Sequence, residues 1–98
     1  MSDNSDAAIE RVIGNFVKGL PDRIQAISAA YAAEDWSGMR MLSHRLAGAA
    51  IFGFPELGAA AHRVENAIDN GDTGTITPLF QQLQEISEQV QNAKFPSN

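Results

Sequence analysis

The sequence predicts an all-α protein, an antiparallel up-and-down four-helix bundle with an additional short N-terminal helix. Apolar residues recur at intervals of three and four along most of the 98-residue chain, which is the spacing of one helix face. No segment alternates apolar and polar residues as a half-buried strand does. The turns between helical stretches are short, so consecutive helices must lie antiparallel and bury their apolar faces against one another.

Length and composition indicate one helical domain, residues 6–94, between a disordered lead-in at 1–5 and a tail at 95–98. With 98 residues and 44% hydrophobic content, the chain can form one modest core. The net charge of −5 and the pI of about 4.7 argue against a nucleic-acid partner, which would require a basic face. The absence of cysteine excludes a disulfide framework and a thiolate site. No apolar run approaches a membrane span and the N-terminus is acidic, so we expect no membrane association and a cytoplasmic location.

Gly19 and Pro21 divide the N-terminal third of the chain into two predicted helices. The first helix is capped by Ser5 or Asp6 and ends at Gly19 and Pro21. Pro21 suits the first turn of a second helix, which is expected to end near Glu34. The apolar positions of these two helices are Ile9, Val12, Ile13, Phe16, Val17, Leu20, Ile24, Ile27, Ala30 and Tyr31.

Three further helices follow from capping and turn signals. Asp35 caps the third helix, which the turn at 52–55 closes. The fourth begins at Pro55 and ends at the break at 70–72. The fifth begins at Thr73 or at Thr77, and both starts remain open. The predicted buried face of the third helix comprises Trp36, Met39, Leu42, Leu46, Ala49, Ala50 and Gly53.

His44 is the candidate functional residue of the third helix. It lies roughly 160° around the helix from Leu46, so its imidazole points to solvent. A side chain at position 48 would lean toward the ring, because helical side chains tilt toward the N-terminus, and position 48 holds glycine. A glycine within a helix costs about 1 kcal/mol relative to alanine, and room for a group attached to the ring is a reason for it.

The surroundings of His44 favour a phosphoryl group over hydrolytic or metal chemistry. The chain has no Asp or Glu between Trp36 and Pro55, so this stretch offers no general base and no carboxylate to orient the ring. A partly apolar exposed surface is typical of a site where another protein docks. Neighbouring cations would neutralise the roughly −1.5 to −2 charges of a phosphoryl group. Ser37, Met41 and Ile51 are the expected partner contacts, and Arg40, Arg45, Ala47 and Gly48 the expected phosphate neighbours.

The segment around His44 contains a motif of ten residues: Ser43, His44, Arg45, Leu46, Ala47 and Gly48, followed by Gly53, Leu57, Val64 and Glu65. This motif resembles that of the histidine-containing phosphotransfer (HPt) domains of bacterial phosphorelays. The resemblance implies that His44 accepts a phosphoryl group on its outer ring nitrogen from a receiver-domain Asp of a hybrid sensor kinase. It further implies transfer to an Asp of a response regulator, with Mg²⁺ supplied by the receiver and no kinase or ATP site in this chain.

Two departures from the family pattern concern the phosphate neighbours and the following turn. Ala47 stands where most members have Lys, and Arg40, one turn before His44, could replace that cation. Arg45 is displaced by about 100° and is a weaker candidate. Gly53 comes one residue sooner than in most members, which predicts a shorter turn.

Two alternatives remain at this stage. One is a helical adaptor that binds a receiver or another helical partner through the same face, with His44 unphosphorylated. The other is a helical metal-binding protein, which would require His44 and His62 to converge with carboxylates. His62 is expected to be a solvated histidine without a role, and the chain is expected to be a monomer.

Overall fold

The structure is a computed structural model that describes residues 3–94, and the described residues contain four α-helices and no strand. The predicted four-helix bundle is confirmed. Helix α1 contacts α2 and α4, and helix α3 contacts the same two helices. In chain order the elements are α1 (Asp3–Ala32), α2 (Trp36–Leu46), the 3₁₀ helix η1 (Ala47–Phe52), α3 (Pro55–Asp69) and α4 (Thr73–Lys94).

Helix α1 is continuous through Pro21, so the predicted break and the separate additional N-terminal helix are wrong. A proline inside a helix costs about 3 kcal/mol, because one backbone hydrogen bond is lost and the ring crowds the preceding turn. Here Pro21 is exposed, while Leu20 and Ile27, on either side of it, are 0% and 1% exposed. Burial of one uninterrupted apolar stripe therefore outweighs the local signal.

Helix α1 begins at Asp3, within the segment 1–5 for which a disordered lead-in is predicted. Residues 1–2 and the predicted tail at 95–98 lie outside the described residues. None of the helices described between Asp3 and Lys94 is long and apolar enough to cross a membrane.

Asp35 caps α2, as predicted. Its Oδ1 accepts a hydrogen bond of 3.0 Å from the backbone N–H of Gly38. Glu34 precedes the cap with a φ of 54°, the left-handed conformation that lets the chain turn out of α1.

Replacing Asp35 by alanine is expected to lower the free energy of unfolding by about 1 kcal/mol, because the N–H of Gly38 loses its acceptor. For a domain of this size that corresponds to a melting temperature lower by about 4–8 °C. Thermal unfolding followed by circular dichroism measures the change. Asp35→Asn retains the acceptor and is the control, so an equal loss in both variants would contradict the capping role.

The third predicted helix is α-helical only as far as Leu46. The chain then continues as the 3₁₀ helix η1 to Phe52. A 3₁₀ helix has three residues per turn, so the buried stripe changes phase along it. Ala50 and Gly53, predicted to be buried, are therefore exposed, whereas Ala49 is buried. Gly53 ends η1 with a φ of 91°, which glycine adopts without strain.

Helix α3 begins at Pro55 as predicted, and α4 begins at Thr73, the earlier of the two starts left open. Tyr31 of α1 and Thr77 of α4 are joined by a side-chain hydrogen bond. The largest fully buried apolar side chains come from every helix: Val17, Leu20, Ile27, Met39, Leu46, Leu57, Val64, Ile76 and Leu83.

Candidate functional site

The imidazole of His44 is exposed on α2, with 67% of its side-chain surface accessible. Its Nδ1 lies 2.9 Å from Oε2 of Glu65 on α3. A carboxylate only accepts hydrogen bonds, so this contact is a hydrogen bond in the tautomer in which Nδ1 carries the proton and donates it. The second ring nitrogen, Nε2, then holds a free lone pair and lies on the side of the ring away from this contact.

Glu65 is the contact partner of His44 that the reasoning about α2 alone missed. Residues 36–55 contain no Asp or Glu, and this carboxylate comes from the next helix. Only 6% of the Glu65 side chain is exposed. The available signal was its position four residues after Ala61 and eight after Leu57, on the buried stripe of α3, where a charged residue requires partners.

Arg40 pairs with two carboxylates on α3. Its Nε donates to Oδ1 of Asp69, and a second guanidinium nitrogen lies 3.5 Å from Oε2 of Glu65. The hydrogen bond to Asp69 and the charge of that carboxylate raise the pKa of Arg40. The positive charge beside Glu65 reduces the cost of burying that carboxylate. The replacement of the missing Lys by Arg40 stays a prediction. The guanidinium of Arg40 already pairs with Asp69 and Glu65.

His62 lies against the same carboxylate on the other side. Its Nδ1 is 3.4 Å from Oε1 of Glu65, and 61% of its side chain is exposed. Oε1 is buried and has no hydrogen-bond partner, so the contact with His62 is not a hydrogen bond. The sequence analysis expected His62 to be solvated and without a role. The structure adds that it is the second imidazole next to Glu65.

Gly48 leaves open space beside α2. A Cβ added there would meet nothing within 4 Å, so a methyl group alone would not reach the ring of His44. Close packing of helices instead applies to Gly58 of α3. A Cβ on Gly58 would lie 2.8 Å from the backbone oxygen of Ala47.

The remaining predicted site residues lie on the surface of α2 and η1. Ser37 and Arg45 are exposed, Met41 is 48% and Ile51 86% exposed, and Ala47 is half-buried at the start of η1. Their predicted contacts with a phosphate or a partner stay predictions. In the part of the chain that the structure describes, no group of three or more His, Cys, Asp or Glu side chains is arranged to hold a metal ion.

Comparison with known proteins gives one match. The sequence model described as Hpt domain matches residues 11–93, which span α2, η1, α3 and most of α1 and α4. Neither the curated proteins nor the solved structures searched contain a significant match. Since the match covers most of the chain and includes the exposed His44 and its carboxylate partner, the chain belongs to the Hpt domain family, the histidine phosphotransfer modules of two-component systems.

Proposed function

We propose that this protein carries a phosphoryl group on Nε2 of His44 between receiver-domain aspartates, from a hybrid sensor kinase to a response regulator. The observation that carries the proposal is the 2.9 Å contact between Nδ1 of His44 and Glu65, in a ring that is 67% exposed. This arrangement occupies one ring nitrogen and leaves the other as the nucleophile.

The transfer needs no proton to leave the imidazole. The Nε2 lone pair attacks the phosphorus of an aspartyl phosphate, an N–P bond forms, and the P–O bond to the aspartate breaks to release its carboxylate. The ring becomes positively charged because Nδ1 keeps its proton. Glu65 then faces a developing cation at hydrogen-bond distance, and this interaction is stronger in the transition state than in the ground state. The reverse sequence passes the group to the second receiver.

The receiver is proposed to supply the acceptor aspartate and the Mg²⁺ that neutralises the moving charge. This chain would contribute a positioned nucleophile, and phosphate contacts from Arg40 or Arg45. Ser37, Met41 and Ile51 would contact the docked receiver. The exchange is proposed to take place in the cytoplasm, where this chain transfers a group and performs no kinase step of its own.

Incubation with a phosphorylated receiver domain is expected to label the wild-type chain with a phosphate that is acid-labile and alkali-stable. His44→Gln is expected to abolish the label, because the amide cannot act as the nucleophile. His62→Gln changes the other exposed histidine in the same way and is the matched control. Label that survives in His44→Gln, or that disappears only in His62→Gln, would contradict the assignment.

The same assay separates the carrier from the adaptor alternative. A panel of receiver domains is tested for both binding and transfer. A wild-type chain that binds a receiver but never acquires label from any member of the panel would favour an unphosphorylated adaptor.

A further inference from the structure

We infer that Asp69 is a positioning residue for the reaction of His44 and that it acts through Arg40. By neutralising the guanidinium of Arg40, Asp69 leaves the negative charge of Glu65 available to the imidazole. This inference rests on the proposed function and adds a residue that lies outside the ten-residue motif.

Four side chains form two facing pairs between α2 and α3. Arg40 and His44 lie one turn apart on α2, and Glu65 and Asp69 lie one turn apart on α3. Nδ1 of His44 lies 2.9 Å from Oε2 of Glu65, and the guanidinium of Arg40 contacts the carboxylate of Asp69. The two pairs therefore lie next to each other along the same helix–helix contact.

One nitrogen of Arg40 lies between the two carboxylates. Its Nη2 is 3.4 Å from Oδ2 of Asp69 and 3.5 Å from Oε2 of Glu65. Oε2 is the same oxygen that lies next to Nδ1 of His44. Arg40 and His44 therefore share one acceptor atom, so a shift of the guanidinium toward Glu65 would weaken the interaction of that carboxylate with the ring.

Asp69 holds Arg40 away from such a shift. Arg40 donates to Asp69 from two nitrogens, Nε and Nη2, whereas one nitrogen approaches Glu65. The pKa of Arg40 is raised first by the hydrogen bond to Asp69 and then by the charge of Asp69, ahead of the charge of Glu65. Two parallel donors fix the orientation of a guanidinium against a carboxylate. Arg40 is therefore paired mainly with Asp69.

The charges of this cluster leave one negative charge next to the ring. Glu65 and Asp69 each contribute one negative charge, and Arg40 contributes one positive charge. Only 6% of the Glu65 side chain is exposed, so solvent ions screen its charge little. A ring that becomes a cation during phosphorylation is stabilised by this charge. Without the charge of Asp69, Arg40 and Glu65 would neutralise each other and the ring would face a neutral pair.

The test measures labelling of the full chain by phosphoramidate, a small donor that needs no docking surface. Nε2 of His44 forms an N–P bond, the P–N bond of the donor breaks, and ammonia leaves. Asp69→Asn keeps an oxygen that accepts from Arg40 but removes the charge, so it is expected to slow labelling about three- to tenfold. Asp69→Glu restores the charge and is expected to recover most of the wild-type rate.

Arg40→Gln separates the charge balance from a merely structural ion pair. It breaks the same pair from the other end but leaves Glu65 without a competing cation, so labelling is expected to stay at or above the wild-type rate. The double variant Arg40→Gln/Asp69→Asn is expected to recover most of the rate that Asp69→Asn loses. The rates are compared at a mildly alkaline pH, which favours the charged form of Glu65 in every variant. Circular dichroism establishes that each variant retains its helices.

Arg63→Gln and Glu85→Gln are the matched controls for the loss of one charge. Both side chains are exposed and take part in none of the ion pairs described above. Both variants are expected to react at the wild-type rate.

Three results would overturn the inference. Equal slowing in Asp69→Asn and Arg40→Gln would make their ion pair purely structural, and an Asp69→Asn chain that reacts as fast as the wild type would leave Asp69 without a role. Slowing in Arg40→Gln alone would assign Arg40 to the phosphoryl group. A wild-type chain that neither phosphoramidate nor any phosphorylated receiver labels would instead contradict the proposed function.

Discussion

Replacement of Glu65 by leucine is expected to slow phosphorylation of His44 by the small donor phosphoramidate about 10–100-fold, the range by which loss of the carboxylate behind a metal-bound histidine lowers activity. The physical reason is the loss of the acceptor 2.9 Å from Nδ1, which fixes the tautomer and faces the positive charge that develops on the ring. The rate is measured by the appearance of phosphohistidine with time. Circular dichroism establishes that the variant retains its helices.

Glu65→Gln distinguishes the two contributions of the carboxylate. Glutamine retains an acceptor for the Nδ1 proton but has no negative charge. A rate between those of the wild type and Glu65→Leu is expected, because orientation is kept and charge stabilisation is lost. If Glu65→Leu reacts as fast as the wild type, the contact has no role in the reactivity of His44.

Gly58→Val is expected to cause the largest loss of stability among single changes near the site. The Cβ alone would lie 2.8 Å from the backbone oxygen of Ala47 and 3.2 Å from the backbone nitrogen of Ala50, so η1 must move away from α3. Overpacking of this kind costs about 1–3 kcal/mol, and we expect the upper part of that range because backbone atoms are involved. The melting temperature is then expected to fall by roughly 10–20 °C.

Gly48→Val is the matched control for this prediction. It introduces the same side chain ten residues earlier, where a Cβ meets nothing within 4 Å. Its melting temperature is expected to stay within a few degrees of the wild type, because the added side chain enters open space and substitutions away from packed contacts change stability by only about 0.5 kcal/mol. Equal losses in the two variants would show that β-branching, and not the approach of η1 to α3, is responsible.

Local sequence signals predicted most of the fold because they agree with the packing of the helices. The cap at Asp35 and the first turn at Pro55 each coincide with the start of a helix. Pro21 is the exception, since the apolar stripe on both sides of it continues and tertiary burial outweighs one lost hydrogen bond. The end of α2 was placed too late, because α2 ends at Leu46 and the chain continues as η1, which lies close to Gly58 of α3.

The sequence predicted only those features of the candidate site that depend on a single helix. The orientation of His44 followed from helical periodicity, and its side chain is indeed exposed. The contact with Glu65 joins residues 21 positions apart, so it depends on how α2 and α3 pack. The pairing of Arg40 with Asp69 spans the same two helices. The sequence indicated Glu65 in two ways: it belongs to the motif that resembles the HPt domains, and it lies on the buried stripe of α3.

The division of the site between two helices makes the reactivity of His44 a property of the folded chain. A sliding of α3 against α2 by one helical turn, about 5.4 Å, would remove the carboxylate from the ring. A peptide of residues 36–52, or a chain in which α3 has detached, therefore has an ordinary imidazole without this partner. Under the proposed function, misfolded copies would therefore be poor phosphoryl acceptors.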